Sequence, residues 1–192
     1  MIKTVLGYGI LMAVFITVGC GRSKMEQYES LVKQEKKKNI KVNDIFFGIS
    51  LGMDTKEFYK HCWELNKKGL FTDGMGNTSI NYKLVKNELK HPADMNFYPE
   101  FKDGKITTMG VLFQYAGWGP WTKELGSDHL LNDVLSMYKK WYPGGNPFII
   151  IDDPKKGTIY IKVDGNRRII LGRYDDTQVK ADYVDLSVNE KS

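Results

Sequence analysis

The chain has 192 residues, 28 Lys+Arg against 23 Asp+Glu, two cysteines and 42% hydrophobic residues. That length supports one domain with a core of its own, and the mix of apolar and charged residues excludes a disordered chain. A single apolar stretch excludes a polytopic membrane protein, and two cysteines exclude a disulfide scaffold or a Cys-rich zinc site.

Residues 1–20 read MIKTVLGYGILMAVFITVGC. Lys3 precedes an apolar run over residues 4–18, the layout of an export signal rather than of a spanning helix. The following string, Thr17-Val18-Gly19-Cys20, resembles the lipobox of bacterial lipoproteins, in which the cysteine is acylated and becomes the first mature residue. The resemblance implies a signal peptide over 1–19, an acyl (palmitate-type) lipid on Cys20, and a cell-envelope protein held on a membrane, the outer one by expectation. Residues 20–43 then read as the lipidated cysteine and a basic tether. Between 21 and 43 there are seven basic side chains against three acidic ones, which leaves residues 44–192 net neutral. A neutral domain lacks the basic excess of a nucleic-acid binder, so no nucleic-acid partner is expected. The tether is either drawn to anionic headgroups or is a solvated spacer, partly helical over 25–38. In both readings it is dispensable for folding.

The domain, 44–192, opens with an extended entry over 45–51. Asp54 sits at an N-cap position with Glu57 three residues on, a capping-box pattern, and Phe58, Cys62 and Leu65 share one helical face flanked by Tyr59 and Trp63. Gly69 marks the end of this first helix. Strands are expected over 70–72, 78–85, 95–101 and 105–115, the last two joined through Asp103-Gly104. After a loop over 116–125, Ser127 caps a second helix whose apolar face is Leu131, Val134, Leu135, Tyr138 and Trp141. Pro143 ends it. Four short strands follow, over 148–152, 158–163, 167–173 and 179–188, with Asp164-Gly165 as a second hairpin turn.

The predicted fold class is therefore α+β: two helices packed on antiparallel sheet, arranged as two units of one helix plus four strands. This order, with the string Gly52-Met53-Asp54-Thr55-Lys56-Glu57-Phe58, resembles two groups. One is the small lipoproteins of the outer-membrane β-barrel assembly machinery. The other is the β-lactamase-inhibitor-protein fold, two helix-plus-four-strand units forming one curved sheet. Taken whole, the chain is similar to uncharacterised Bacteroides-type lipoproteins. These resemblances imply protein–protein binding in the envelope rather than catalysis.

The search for chemistry gives little. His61, His91 and His129 stand alone, outside any metal-ligand spacing, so no metal or cofactor is expected. A Cys62–His129 nucleophile pair is weighed against Cys62 as a small buried hydrophobe, and the second reading is preferred. The acidic doublets Asp152-Asp153 and Asp175-Asp176, with Asp164, Asp182 and Asp185, read as solvated turns. The stretch from Tyr115 to Trp121 is the candidate binding element: Tyr115, Trp118 and Trp121 combine apolar area with polar tips. Within it Trp121, next to the second helix, is expected to pack, and Trp118, between two glycines, to face solvent. The function read from the sequence is a non-catalytic protein-binding or scaffold role at the membrane, with an envelope protein or a glycan as partner. The alternatives are a carbohydrate-binding lipoprotein using the aromatic loop, and an uncatalogued hydrolase with scattered carboxylates.

Overall fold

The computed structural model describes residues 23–85, 87–154 and 157–188. The export segment 1–19 and Cys20 lie outside the described residues. The described chain is α+β but mostly sheet: three helices and one eight-stranded antiparallel sheet. Helix α1 is Lys24–Lys38, α2 is Thr55–Lys67 and α3 is Ser127–Trp141. The strands are β1 (Thr72–Asp73), β2 (Ile80–Leu84), β3 (Ala93–Lys102), β4 (Lys105–Tyr115), β5 (Ile149–Asp153), β6 (Gly157–Asp164), β7 (Arg167–Arg173) and β8 (Gln178–Asp185). They lie side by side as β1-β2-β3-β4-β8-β7-β6-β5, so the first four strands meet the last four along β4 and β8.

Local chemistry explains the turns. Asp103 and Gly104 both take positive φ, which matches the twist of the β3–β4 hairpin. The β6–β7 hairpin differs from its expectation by one residue. Asp164 pairs with Arg167, so the loop is Gly165-Asn166 with positive φ at Gly165 alone. A side chain at Gly165 would also meet the Ile40 carbonyl oxygen at 2.4 Å, because the chain leaving α1 passes over it.

Strand alternation sorts the sheet into two faces. Met95, Phe97, Met109, Val111, Phe113, Ile169, Leu171, Val179, Ala181 and Tyr183 face α2 and α3 and form the main core. Phe58 and Cys62 enter it from α2; Leu130, Val134, Met137 and Tyr138 enter from α3. Asp54 caps α2 as expected, but its side chain accepts from Lys56 N at 2.9 Å and no reciprocal bond from Glu57 completes a box. The N-cap of α3 is Gly126 rather than Ser127. Ser127 is buried inside the first turn and accepts from Arg173 Nε at 3.0 Å.

The opposite face carries the main departure from the sequence reading. Residues 24–38 are not a free spacer: α1 lies on β5 and β6. Tyr28, Leu31 and Val32 pack on Ile149, Ile151, Ile159, Ile161, Val163, Ile170 and Leu186. One turn later in the same stripe comes Glu35, a buried carboxylate. It accepts from Gly165 N at 2.9 Å, Asn146 Nδ2 at 3.0 Å and Lys38 Nζ. Beyond the helix, Val42 N donates to Asn166 Oδ1 at 2.7 Å. The packed residues therefore include α1, which starts with a capping box between Ser23 and Glu26, and are not confined to residues from 44 onward.

Burial alone raises the Glu35 carboxyl, but the hydrogen bonds from Lys38, Asn146 and Gly165 outweigh it and hold the group below its ordinary value of 4.5. A depressed carboxyl contributes stability that is complete above the unfolded-state value and is lost as pH falls through the folded one. The stability of the wild type to urea should therefore fall on acidification below 4.5. In Glu35→Gln that part of the loss should disappear, although the variant is weaker at neutral pH. An identical acid limb in both proteins would show that Glu35 is not held as described.

Candidate functional site

The aromatic loop over 116–125 folds on itself. Gly119 N donates to Thr122 Oγ1 at 2.8 Å, and Thr122 N returns to the Gly119 carbonyl at 2.9 Å. The Trp121 ring lies on Gly119, where a Cβ would sit 3.0 Å from it. Closure against its own backbone keeps that ring off the core. Trp121 is 84% exposed and Trp118 only 38%, so the expected division between them is reversed. Tyr115, the third residue of the set, is buried. Its hydroxyl donates to Asp133 Oδ2 at 2.8 Å, and Asp133 also accepts from Lys90 N at 3.1 Å. Burial pushes the Tyr115 phenol up, reinforced by the Asp133 carboxylate. Tyr115 ties β4 to α3 and is out of reach of a ligand. The loop thus presents two rings rather than three.

Cys62 and His129, weighed above as a nucleophile pair, lie in different surroundings. Cys62 is buried on α2, and desolvation pushes its thiol to about 12, so it stays protonated. His129 is exposed in the first turn of α3. His61 is occupied instead in the fold, donating Nε2–H to the Phe47 carbonyl at 2.7 Å. The acidic residues divide. Asp175 accepts from Thr177 N and Gln178 N, as a turn residue does, but Asp152 and Asp153 belong to β5 and not to a turn, and Asp152 accepts from Thr158 Oγ1 across the strand pair. Asp164 and Asp185 are buried, which the sequence reading missed. Among the described residues, no three His, Cys, Asp or Glu side chains come together as a metal-ligand set.

A site the sequence did not single out lies where β2 begins. Tyr59 and Trp63 are four residues apart on α2, hence neighbours on one helix face, with Asn66 a turn further on. β2 pairs with β3 only as far as Ile80↔Phe97, and Tyr98 lies just beyond. The Tyr59 and Tyr98 hydroxyls are hydrogen-bonded to each other, joining helix to strand, and this bond comes first among the causes that raise the Tyr98 phenol, ahead of its desolvation. Together with residues 72–73 and 78–80 these side chains enclose a cleft of about 650 Å³. Trp63 is 59% exposed, Tyr59 48% and Tyr98 41%. Lys67 Nζ sits 3.3 Å from the Trp63 ring centroid and fixes that ring from one side. The rim is polar: Asn66, Thr72, Asp73 and Thr78, with the Ser79 hydroxyl buried in the wall without a partner among the described residues. The sequence signal was two large aromatics at i and i+4 outside the buried stripe of Phe58 and Cys62.

A second cleft, about 640 Å³, lies between the start of α3 and the β7–β8 turn. Its charges are already used. Arg173 pairs with Asp128 at 2.8 Å and Asp176 at 3.1 Å, and bonds Ser127. With its cation satisfied and Tyr160 and Tyr174 as its aromatics, it is the weaker candidate.

No known family, curated protein or solved structure matches the chain. Among the described residues, no helix is long and apolar enough to cross a membrane.

Proposed function

We propose that the chain is a lipid-anchored recognition protein of the cell envelope, held on the membrane through Cys20 and binding its partner without transforming it. Its two halves, α2 with β1–β4 and α3 with β5–β8, act as two helix-plus-four-strand units joined along β4 and β8. The observation that carries the reading is the convergence of Tyr59, Trp63 and Tyr98, half-exposed, in one polar-rimmed cleft. Large aromatics left open to water at a concave site supply binding area at low conformational cost. The protonated state of Cys62, the one thiol lining the cleft, supports binding over nucleophilic catalysis. A second reading places contact on the loop, favoured by the exposure of Trp121.

Co-purification of the acylated protein from its own membrane tests the proposal. The wild type should retain a bound component that Trp63→Ala loses. Cys20→Ala should move the protein from the detergent phase to the aqueous phase. Full retention by Trp63→Ala would take the cleft out of the function, and unchanged partition of Cys20→Ala would remove the anchor.

A further inference from the structure

We infer that the α2 cleft takes a neutral saccharide, its ring stacked on Trp63 beside the joined Tyr59 and Tyr98 side chains and its hydroxyls on the polar rim. The inference rests on the recognition role proposed above and names the ligand class of that site.

Three observations carry it. The first is the pairing of surfaces. A pyranose or furanose ring presents apolar C–H faces and a belt of hydroxyls, so it needs flat π faces beside groups that donate and accept. Trp63, Tyr59 and Tyr98 give the faces, while Asn66, Thr72, Asp73 and Thr78 give short polar side chains around them.

The second is charge. Among the described residues lining the cleft, Asp73 is the one carboxylate and none is a cation, and the nearby Lys67 ammonium lies over the Trp63 ring. An anionic ligand would meet Asp73 without a free counter-charge. A neutral polyol meets a carboxylate that accepts from its hydroxyls.

The third is the sheet edge. A peptide that bound at the cleft by adding a strand would meet β1, which covers β2 at residues 80–81 and is two residues long. So short an edge offers few backbone groups, which is how sheets discourage strand addition. The cleft volume, about 650 Å³, lies within the small-ligand range of about 300–1,000 Å³.

The test uses the full chain in a non-glycosidic detergent on an array of neutral gluco-, manno-, galacto- and xylo-oligosaccharides. Wild-type protein should bind at least one series. Trp63→Ala should weaken that binding about tenfold or more, and Trp63→Tyr, which restores a flat ring, should keep it within about threefold. Trp121→Ala should leave it unchanged, and thermal melts should show all three variants folded, since both rings stand in solvent. Absence of binding to every neutral series, or binding that ignores Trp63, overturns the inference. If the arrays are blank while co-purification from the membrane still depends on Trp63, the cleft stands and the saccharide falls. A protein lost from that co-purification in Trp63→Ala would identify a protein partner instead. Where neither experiment depends on Trp63, both proposals fail.

Discussion

Asp164→Ala should destabilise the protein by about 3–5 kcal/mol, because it strands two buried cations. Asp164 pairs with Lys162 Nζ at 3.1 Å and with Arg167 Nη2 at 3.4 Å, and all three side chains are nearly out of water. The carboxylate also accepts from Asn146 N at 2.7 Å. Lys162 keeps bonds to the Gly144 and Asn146 carbonyls, and Arg167 keeps its bond to the Asp44 carbonyl and its place over the Tyr142 ring. Those neutral acceptors do not cancel charge. Both ammonium and guanidinium would then face desolvation without an anion, which a surface aspartate never imposes on its partners. Urea denaturation at neutral pH measures the effect. A loss below about 1 kcal/mol would mean that the cluster is wetter than its geometry implies.

The second large effect concerns α1. A chain beginning at Asn43 should be less stable than one beginning at Gly21 by about 4–6 kcal/mol. Tyr28, Leu31 and Val32 are partly buried, and half of a full burial gain of about 1.5–3 kcal/mol for each apolar side chain gives roughly 1 kcal/mol apiece. Loss of the Glu35 carboxylate strands the Gly165 N–H and one Asn146 amide hydrogen bond, adding about 1–3 kcal/mol. The shortened chain also uncovers Ile149, Ile159, Ile161 and Ile170 beside the open edge of β5, so it should associate at concentrations where the longer one is monomeric. Equal melting temperatures would show that the helix adds nothing to the fold.

The contrast between α1 and α2 shows what the sequence discloses. Phe58, Cys62 and Leu65 give α2 an apolar stripe and Asp54 gives it a start, so local pattern suffices. The stripe of α1 has three apolar members, and its fourth position is Glu35, which reads as solvent-facing until Gly165 and Asn146 are known to meet it. Asp103-Gly104 declares a hairpin because both residues tolerate positive φ. The pairing of β4 with β8 spans a separation that no local pattern records. The cleft was hidden for the same reason, since Trp63, Thr72, Ser79 and Tyr98 belong to four separate segments. In the loop, neighbours in sequence misled: Trp121 adjoins the second helix yet folds onto Gly119 and stays in solvent.

Recognition at the α2 cleft, as proposed above, can be tested directly. The chain has four tryptophans, and their indole N–H resonances separate the candidate surfaces in one spectrum. Trp63 reports the cleft, Trp118 and Trp121 the loop, and Trp141 the packed end of α3. Titration of the full chain with the strongest-binding neutral oligosaccharide should shift the Trp63 signal and leave the other three in place. Movement of the Trp118 or Trp121 signals with a stationary Trp63 would place binding on the loop and remove it from the cleft.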